Sequence, residues 1–217
     1  MRAWGELIVG GADQPPLRQV RADFDGRTLV VYQAYSDQIA DAALAAGTFV
    51  PPFKLDRTTW IKPSFLWMMY RCGWATKPGQ ERVLAIRIPR EGFEEALGGA
   101  CLSHFDPDVH ASHEQWRTLL SESPVRVQWD PERRPDLTPL PWRSLQVGLS
   151  GPAARSYVDG WITEINDVTP LVHEMRHDTS RSDAITARER PYHLPAHIAE
   201  RIGVSSEVTS DAGRLQA

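Results

Sequence analysis

Residues 59–74, TWIKPSFLWMMYRCGW, constrain the fold of this chain more than any other stretch. They bring together three Trp, two Met, a Tyr and a Phe with a single Lys and a single Arg. Pro63 suits a first helical position, where its missing N–H has no intrahelical partner to lose, and Gly73 suits a C-terminal stop. The pattern predicts a helix over about 64–72. Phe65 to Tyr70 are apolar around the whole circumference, so such a helix must be buried on nearly all sides. Trp60, Lys62, Ser64 and Arg71 nevertheless bring indole, ammonium, hydroxyl and guanidinium groups to its ends. Two readings follow: a core helix with snorkelling ends, or the floor of a ligand cleft.

A chain of 217 residues suits one domain, or one domain plus a tail. Its net charge of −4 supplies no global attraction for nucleic acid or an anionic membrane, so any basic surface must be local. No apolar run approaches the roughly 20 residues of a membrane span. The N-terminal MRAWGELIVGGADQ lacks the sustained apolar segment of a secretory signal. Cys72 and Cys101 have neither metal nor redox spacing and read as reduced, partly buried thiols of a cytoplasmic protein. Residues 1–16 and 204–217 read as loosely ordered ends around a single domain over 17–203.

Within that domain, 18–35 contains two short extended runs broken by Asp25-Gly26, a hairpin-type signal. In the second run Leu29, Val31, Gln33 and Tyr35 share one face and Val30, Tyr32 and Ala34 the other. Ser36 and Gly47 bound a helix ending at Ala46. A buried strand follows at 83–88, then a short helix at 90–97. Ser112 and Gln115 have the spacing of a capping box for a helix over 113–120. Strands are expected at 125–129, ending at Asp130-Pro131, and at 144–148, with a Pro-rich connector over 135–141. Ser150 caps a helix expected to run from Gly151 to about Ile165. Pro170 opens another, and 196–202 shows the last periodicity. Irregular alternation of strands and short helices indicates an α+β fold.

Several constellations could carry chemistry. His173-Glu174-Met175-Arg176-His177 matches the H-E-x-x-H pattern of zinc hydrolases. Such a helix is embedded in a core, whereas Arg176 and Asp178 are charged, so a solvated helix face is expected and no metal. His104, Asp106, Asp108, His110 and His113 lie in an irregular segment without a turn glycine: a weak divalent site or a solvated loop. Gln146 to Gly151, with Arg143 and Arg155 nearby, reads either as an anion-binding turn or as an ordinary strand-to-helix connection. Gln128, Asp130 and Glu132 alternate on one face at a strand end, a placement that suits catalysis or a solvated exit.

The segments VYQAY, WIKPSFLWMMYRCGW, VLAIRI with GFEEAL, VQWDPER and RSLQVGLSG resemble an uncharacterised family, domain of unknown function 4291. More distantly, the order of parts resembles the ADP-ribosyltransferase superfamily. That likeness implies a split, mainly antiparallel sheet with flanking short helices and a cleft for NAD, the candidate substrate. It implies that Tyr32, Gln33 and Tyr35 position the dinucleotide, Gln33 standing where the superfamily has His or Arg. Trp60, Trp67 and Tyr70 would stack, with Ser64 beside Tyr70 in the nicotinamide slot. Lys62, Arg71 and Arg143 would take phosphates, with Gln146 nearby. Glu132, with Asp130 as fallback, would be the charge-stabilising carboxylate. The expected partners are a nucleotide and an acceptor such as nucleic acid, with no membrane. The rival expectation is a non-catalytic module that holds nucleotide or single-stranded nucleic acid by stacking. The resemblance names neither the acceptor nor an oligomeric state.

Overall fold

Leu29 and Val31 on one face of a strand, and Val30 and Tyr32 on the other, are all buried, and this double burial organises the molecule. The computed structural model describes residues 14–205. In chain order the strands are β1 (Arg21–Asp23), β2 (Thr28–Tyr35), β3 (Thr59–Ile61), β4 (Arg82–Pro89) and β5 (Cys101–Leu102). They continue with β6 (Val125–Arg133), β7 (Pro139–Leu149), β8 (Glu164–Asp167) and β9 (Glu189–Pro191). The helices are α1 (Asp37–Ala46), α2 (Phe65–Cys72), α3 (Arg90–Gly98), α4 (His113–Glu122), α5 (Gly151–Ser156), α6 (Thr169–His177), α7 (Asp183–Thr186) and α8 (Ala196–Arg201). The fold is α+β.

Three sheets result. One has the order β2-β4-β8 and is antiparallel throughout. A second has the order β3-β7-β6-β5, parallel only between β5 and β6. The third is the β1-β9 pair. Leu29 and Val31 join Leu84, Ile86 and Ile88 in the larger core, which continues into Val127, Leu145 and Val147 of the second sheet. Val30, Tyr32 and Val83 face a smaller core built on α2, with Phe65, Met68, Met69 and Cys72. The first two sheets meet at a narrow seam, where Tyr32 N–H donates to the Lys62 carbonyl at 2.7 Å. Beyond that bond the sheets part.

Local signals hold where a short segment is sufficient to define the element. Ser36 and Gly47 flank α1, with Gly47 at φ 71°, although the Ser36 side chain makes no capping hydrogen bond. Ser64 is the N-cap of α2, accepting from Trp67 N–H, and Gly73 closes it at φ 62°. Pro63 precedes that cap and is not inside the helix. Ser112 accepts from Gln115 N–H at 3.1 Å, while the Gln115 side chain accepts from Ala111 N–H and not from the cap residue.

Long-range partners overturn other expectations. The Asp25-Gly26 turn forms, with Asp25 Oδ1 accepting from Arg27 and Thr28 N–H, yet β1 pairs with β9 and only Phe24 bridges back to Leu29. β6 does not stop at Asp130-Pro131 but continues to Arg133. Pro131 faces Arg143 beside a register shift, where a residue without N–H is tolerated. β7 begins at Pro139, inside the expected connector. The helix expected up to Ile165 ends at Ser156 and widens into a π-turn over Tyr157–Trp161. Tyr157 there is fully buried and donates to Gln33 Oε1 at 2.7 Å. The rest of that expected helix becomes the edge strand β8, held by β4 on one side alone. Tertiary pairing outweighs helix propensity here.

The expectation of loose ends at 1–13 and 206–217 lies outside the described residues. Inside them, Ser205 N–H donates to the Arg18 carbonyl and Arg18 N–H to Ser205 Oγ, so the chain is still held where a tail was expected to begin. Among the described residues no helix is long and apolar enough to cross a membrane.

Candidate functional site

Where β2 and β3 diverge, a cavity of about 730 Å³ opens, bounded by β2, the 52–58 loop, β3, α2 and the exposed polar face of the β6–β7 ribbon. That face follows from strand alternation. Val127, Trp129, Leu145 and Val147 point into the larger core, so Gln128, Asp130, Ser144 and Gln146 point the other way, towards α2. Gly148 continues this row and pairs with Trp60. A Cβ at Gly148 would come within 2.9 Å of the Trp60 indole, so glycine lets that ring lie on the strand backbone.

Gln33 is the hinge pin of the seam. Its amide donates to Tyr35 Oη and Thr59 Oγ1 at 2.8 Å and to the Trp60 carbonyl at 3.1 Å, and its oxygen accepts from Tyr157. With donors and acceptor engaged, Gln33 fixes the cavity wall. Tyr35 shares Thr59 with it, and burial pushes the Tyr35 phenol up to about 12.

Lys62 lies on the same wall and is buried. Its ammonium has one long acceptor, the Trp60 carbonyl at 3.3 Å, and sits 5.2 Å from the centre of the Trp67 ring. Burial, reinforced by Arg71 and opposed by Asp130, lowers its pKa to about 7. Asp130 accepts from Gln146 Nε2 at 2.6 Å, and the same nitrogen donates to Gln128 Oε1. Burial raises the Asp130 carboxyl against the pull of Gln146, Lys62, Arg143 and Arg133.

Lys54, Arg57 and Arg71 complete the basic lining of the cavity, and among the described residues no carboxylate lines it. Among the described residues, none of these three side chains makes an ion pair or a hydrogen bond. Trp67 also lines the cavity, and its buried indole Nε1 has no hydrogen-bond partner. A wall of this kind offers cations, aromatic faces and carboxamides to an anion carrying a ring.

Of the residues singled out in the sequence, Gln33, Tyr35, Trp60, Lys62, Trp67, Arg71 and Gln146 meet on this cavity. The others sit elsewhere. Tyr32 is in the smaller core, edge-on to Phe65. Tyr70 lies outside the lining beneath the Arg133 guanidinium, 3.5 Å from its ring centre. Arg143 is on the core-facing side of β7 and donates to the Trp129 carbonyl. Glu132 and Ser64 form a latch behind α2: Ser64 Oγ donates to Glu132 Oε1 at 2.9 Å, and that oxygen also accepts from Arg133 N–H. Glu189 of β9 accepts from Phe65 N–H at 2.7 Å, so two carboxyls secure the start of α2. Burial raises both, Glu189 well above the usual carboxylate range.

Lys54, Arg57, Thr59 and Glu189 were not legible as site residues. Lys54 and Arg57 sit in a Pro-containing loop whose charges look like ordinary solvated ones, and Glu189 is far from α2 in sequence. Elsewhere, His173 and His177 are exposed on α6, Glu174 pairs with Arg181 at 2.8 Å, and Val172 and Met175 carry the buried face. In the histidine-rich loop Asp106 pairs with Arg18 and Phe105 stacks on His113 at 3.8 Å. No group of three or more His, Cys, Asp or Glu among the described residues could hold a metal ion. Cys72 and Cys101 are buried and free. The turn before α5, read either as an anion-binding turn or as an ordinary connection, leads into a helix of six residues.

Fold and site together define an α+β domain with a cationic, aromatic cleft at a sheet seam. Residues 19–197 match the family model Domain of unknown function (DUF4291), and the chain belongs to that family. Every residue lining the cleft falls inside the matched span. No curated protein matches the chain.

Proposed function

We propose that this chain binds a nucleotide in the cleft at the sheet seam, with NAD as the first candidate. The observation that carries the reading is a lining that has, among the described residues, four basic side chains and no carboxylate, three of the cations being without partners there. Unpaired Lys and Arg around a concave site favour phosphate, because charge-assisted hydrogen bonds to phosphate are stronger than neutral ones. Trp60 and Trp67 supply aromatic surface to the lining. The volume of about 730 Å³ lies within the usual range for small-molecule sites. The same features suit a short single-stranded nucleic acid, whose bases stack and whose phosphates pair in the same way.

A second reading, ADP-ribose transfer from NAD by an ADP-ribosyltransferase-like domain, draws on Asp130. Glycosidic cleavage needs an anion beside the cationic ribose. Glu132 is engaged by Ser64 and Arg133 behind α2, whereas Asp130 is bonded to the cavity residue Gln146. In this reading Asp130 takes the role and Glu132 supports the helix.

Calorimetric titration with NAD, ADP-ribose, AMP and a short oligonucleotide tests the binding reading. NAD or ADP-ribose is expected to bind and to raise Tm; no binding by any of the four overturns it. Nicotinamide release measured on wild type, Asp130→Asn and Glu132→Gln tests the transfer reading. Release lost in Asp130→Asn and retained in Glu132→Gln supports it, and binding without release under any acceptor condition excludes it.

A further inference from the structure

Only three of the 24 Lys and Arg residues of this chain are lysines: Lys54, Lys62 and Lys77. Elsewhere the chain uses arginine for its cations. Lys62 stands at its most buried cationic position on the cavity wall, the one place where the difference between the two side chains is largest. A guanidinium keeps its proton wherever it is put, whereas a desolvated amine can release one. Among the described residues no carboxylate pairs with Lys62. Its one acceptor among them is the Trp60 carbonyl at 3.3 Å, and Asp130, the acid that acts on it, accepts from Gln146. An amine with so little holding it, facing an open cavity, is placed as a nucleophile.

We propose that Lys62 captures a phosphate-bearing aldehyde as an imine, the phosphate resting on Arg57 and Arg71. This deepens the nucleotide reading and rests on its account of the basic rim. The step balances without an oxidant or reductant. The Nζ lone pair attacks the carbonyl carbon, a C–N bond forms, and the nitrogen proton passes to the oxygen. The carbinolamine then loses water to leave C=N. Open-chain sugar phosphates, including the free ribose end of ADP-ribose, belong to this ligand class. The amine is available near neutral pH because burial lowers its pKa to about 7, with Arg71 acting in the same direction and Asp130 and Cys72 in the opposite one. Lys54 and Arg57 are the other cations of the same lining.

The test uses the full chain with pyridoxal 5′-phosphate as probe, borohydride to trap any imine, and peptide mass spectrometry to find it. The expected result at pH 7 is one adduct per chain, on Lys62, suppressed by ADP-ribose and formed at least tenfold less with pyridoxal, which lacks the phosphate. Lys62→Arg is expected to abolish it. Mapping on the wild type decides the matter even if that variant fails to fold. Labelling spread over the three lysines, or confined to Lys54 or Lys77, overturns the proposal. Binding of pyridoxine 5′-phosphate and nucleotides without a trappable adduct overturns the covalent step alone. Absence of both binding and adduct overturns the reading of the rim with it.

Discussion

Arg82 and Arg71 are the same side chain in opposite circumstances. Arg82, at the start of β4, is met by three carboxylates: Asp41 at 2.7 Å, Asp167 at 2.6 Å and Asp37 at 3.3 Å. Hydrogen bonds to these partners raise its pKa, and the three acids neutralise more than its charge. Arg71, on the lining of the cleft, has none among the described residues, and neither have Lys54 and Arg57 on the same lining. One region closes its electrostatics internally and ties α1 to the first sheet. The other leaves positive charge open towards a concave space. Charge that a fold does not use for its own stability is available for a ligand, and this contrast locates the candidate site better than the number of cations does.

The contrast can be broken most forcefully by reversing charge at the rim. Arg57→Glu with Arg71→Glu removes two charge-assisted contacts, worth about 3 kcal/mol or more together, so nucleotide affinity should fall by about a hundredfold or more. Tm should barely change, because neither side chain makes an ion pair or hydrogen bond within the described residues. Calorimetry and thermal denaturation on the same samples decide it: an affinity unchanged by the double variant would remove the rim from the site.

Arg82→Ala is the mirror experiment. It leaves three carboxylates facing one another and should cost about 1–2 kcal/mol in urea denaturation, with nucleotide affinity unchanged. Against the cost of burial, hydrogen bonds from Thr169 and Arg82 hold Asp167 below the usual carboxylate range. Its folded pKa is therefore below its unfolded one, so this stabilisation is present above about pH 4 and fades as pH falls through the folded value. The deficit of the variant should shrink accordingly in acid. A loss of binding in Arg82→Ala would collapse the distinction between the two regions.

The smallest effect sharpens the picture of Lys62. Its folded pKa of about 7 lies below the 10.5 of an unperturbed lysine, so between those values the unfolded chain holds the proton more tightly. Stability from this group therefore rises with pH across that window and is lowest below it. Lys62→Met should stabilise the fold by about 1 kcal/mol at pH 6, a Tm gain of about 2–4 °C, and by less as pH rises towards 10. A variant less stable than wild type at pH 6 would make Lys62 a structural residue.

The latch behind α2 extends the comparison. The ADP-ribosyltransferase resemblance implies Glu132 as the charge-stabilising carboxylate, and alternation puts it on one strand face with Gln128 and Asp130; β6 does carry all three past Pro131. Alternation correctly gives the face. It does not say how far along that face the cavity reaches, and Gln128 borders it while Glu132 is occupied by Ser64 and Arg133. Arg143 illustrates the complementary point. Its nearness to Gln146 in sequence suggested a shared site, yet in a strand a separation of three residues puts two side chains on opposite faces.

By itself, the sequence determined the elements whose causes are local: α1 between Ser36 and Gly47, α2 between its serine cap and Gly73, which residues share each face of β2, and the solvated face of the HEMRH helix. Caps, left-handed glycines and hydrophobic periods act within a few residues and can be read there. The tertiary structure alone decided that β8 and β9 are strands, that β6 passes through a proline, and that the 52–58 loop brings Lys54 and Arg57 to the wall Lys62 stands on. It also decided which cations remain unpaired and how far the Lys62 amine is desolvated. Those properties depend on groups distant in the chain and on exclusion of water, and neither exists until the sheets have closed around the seam.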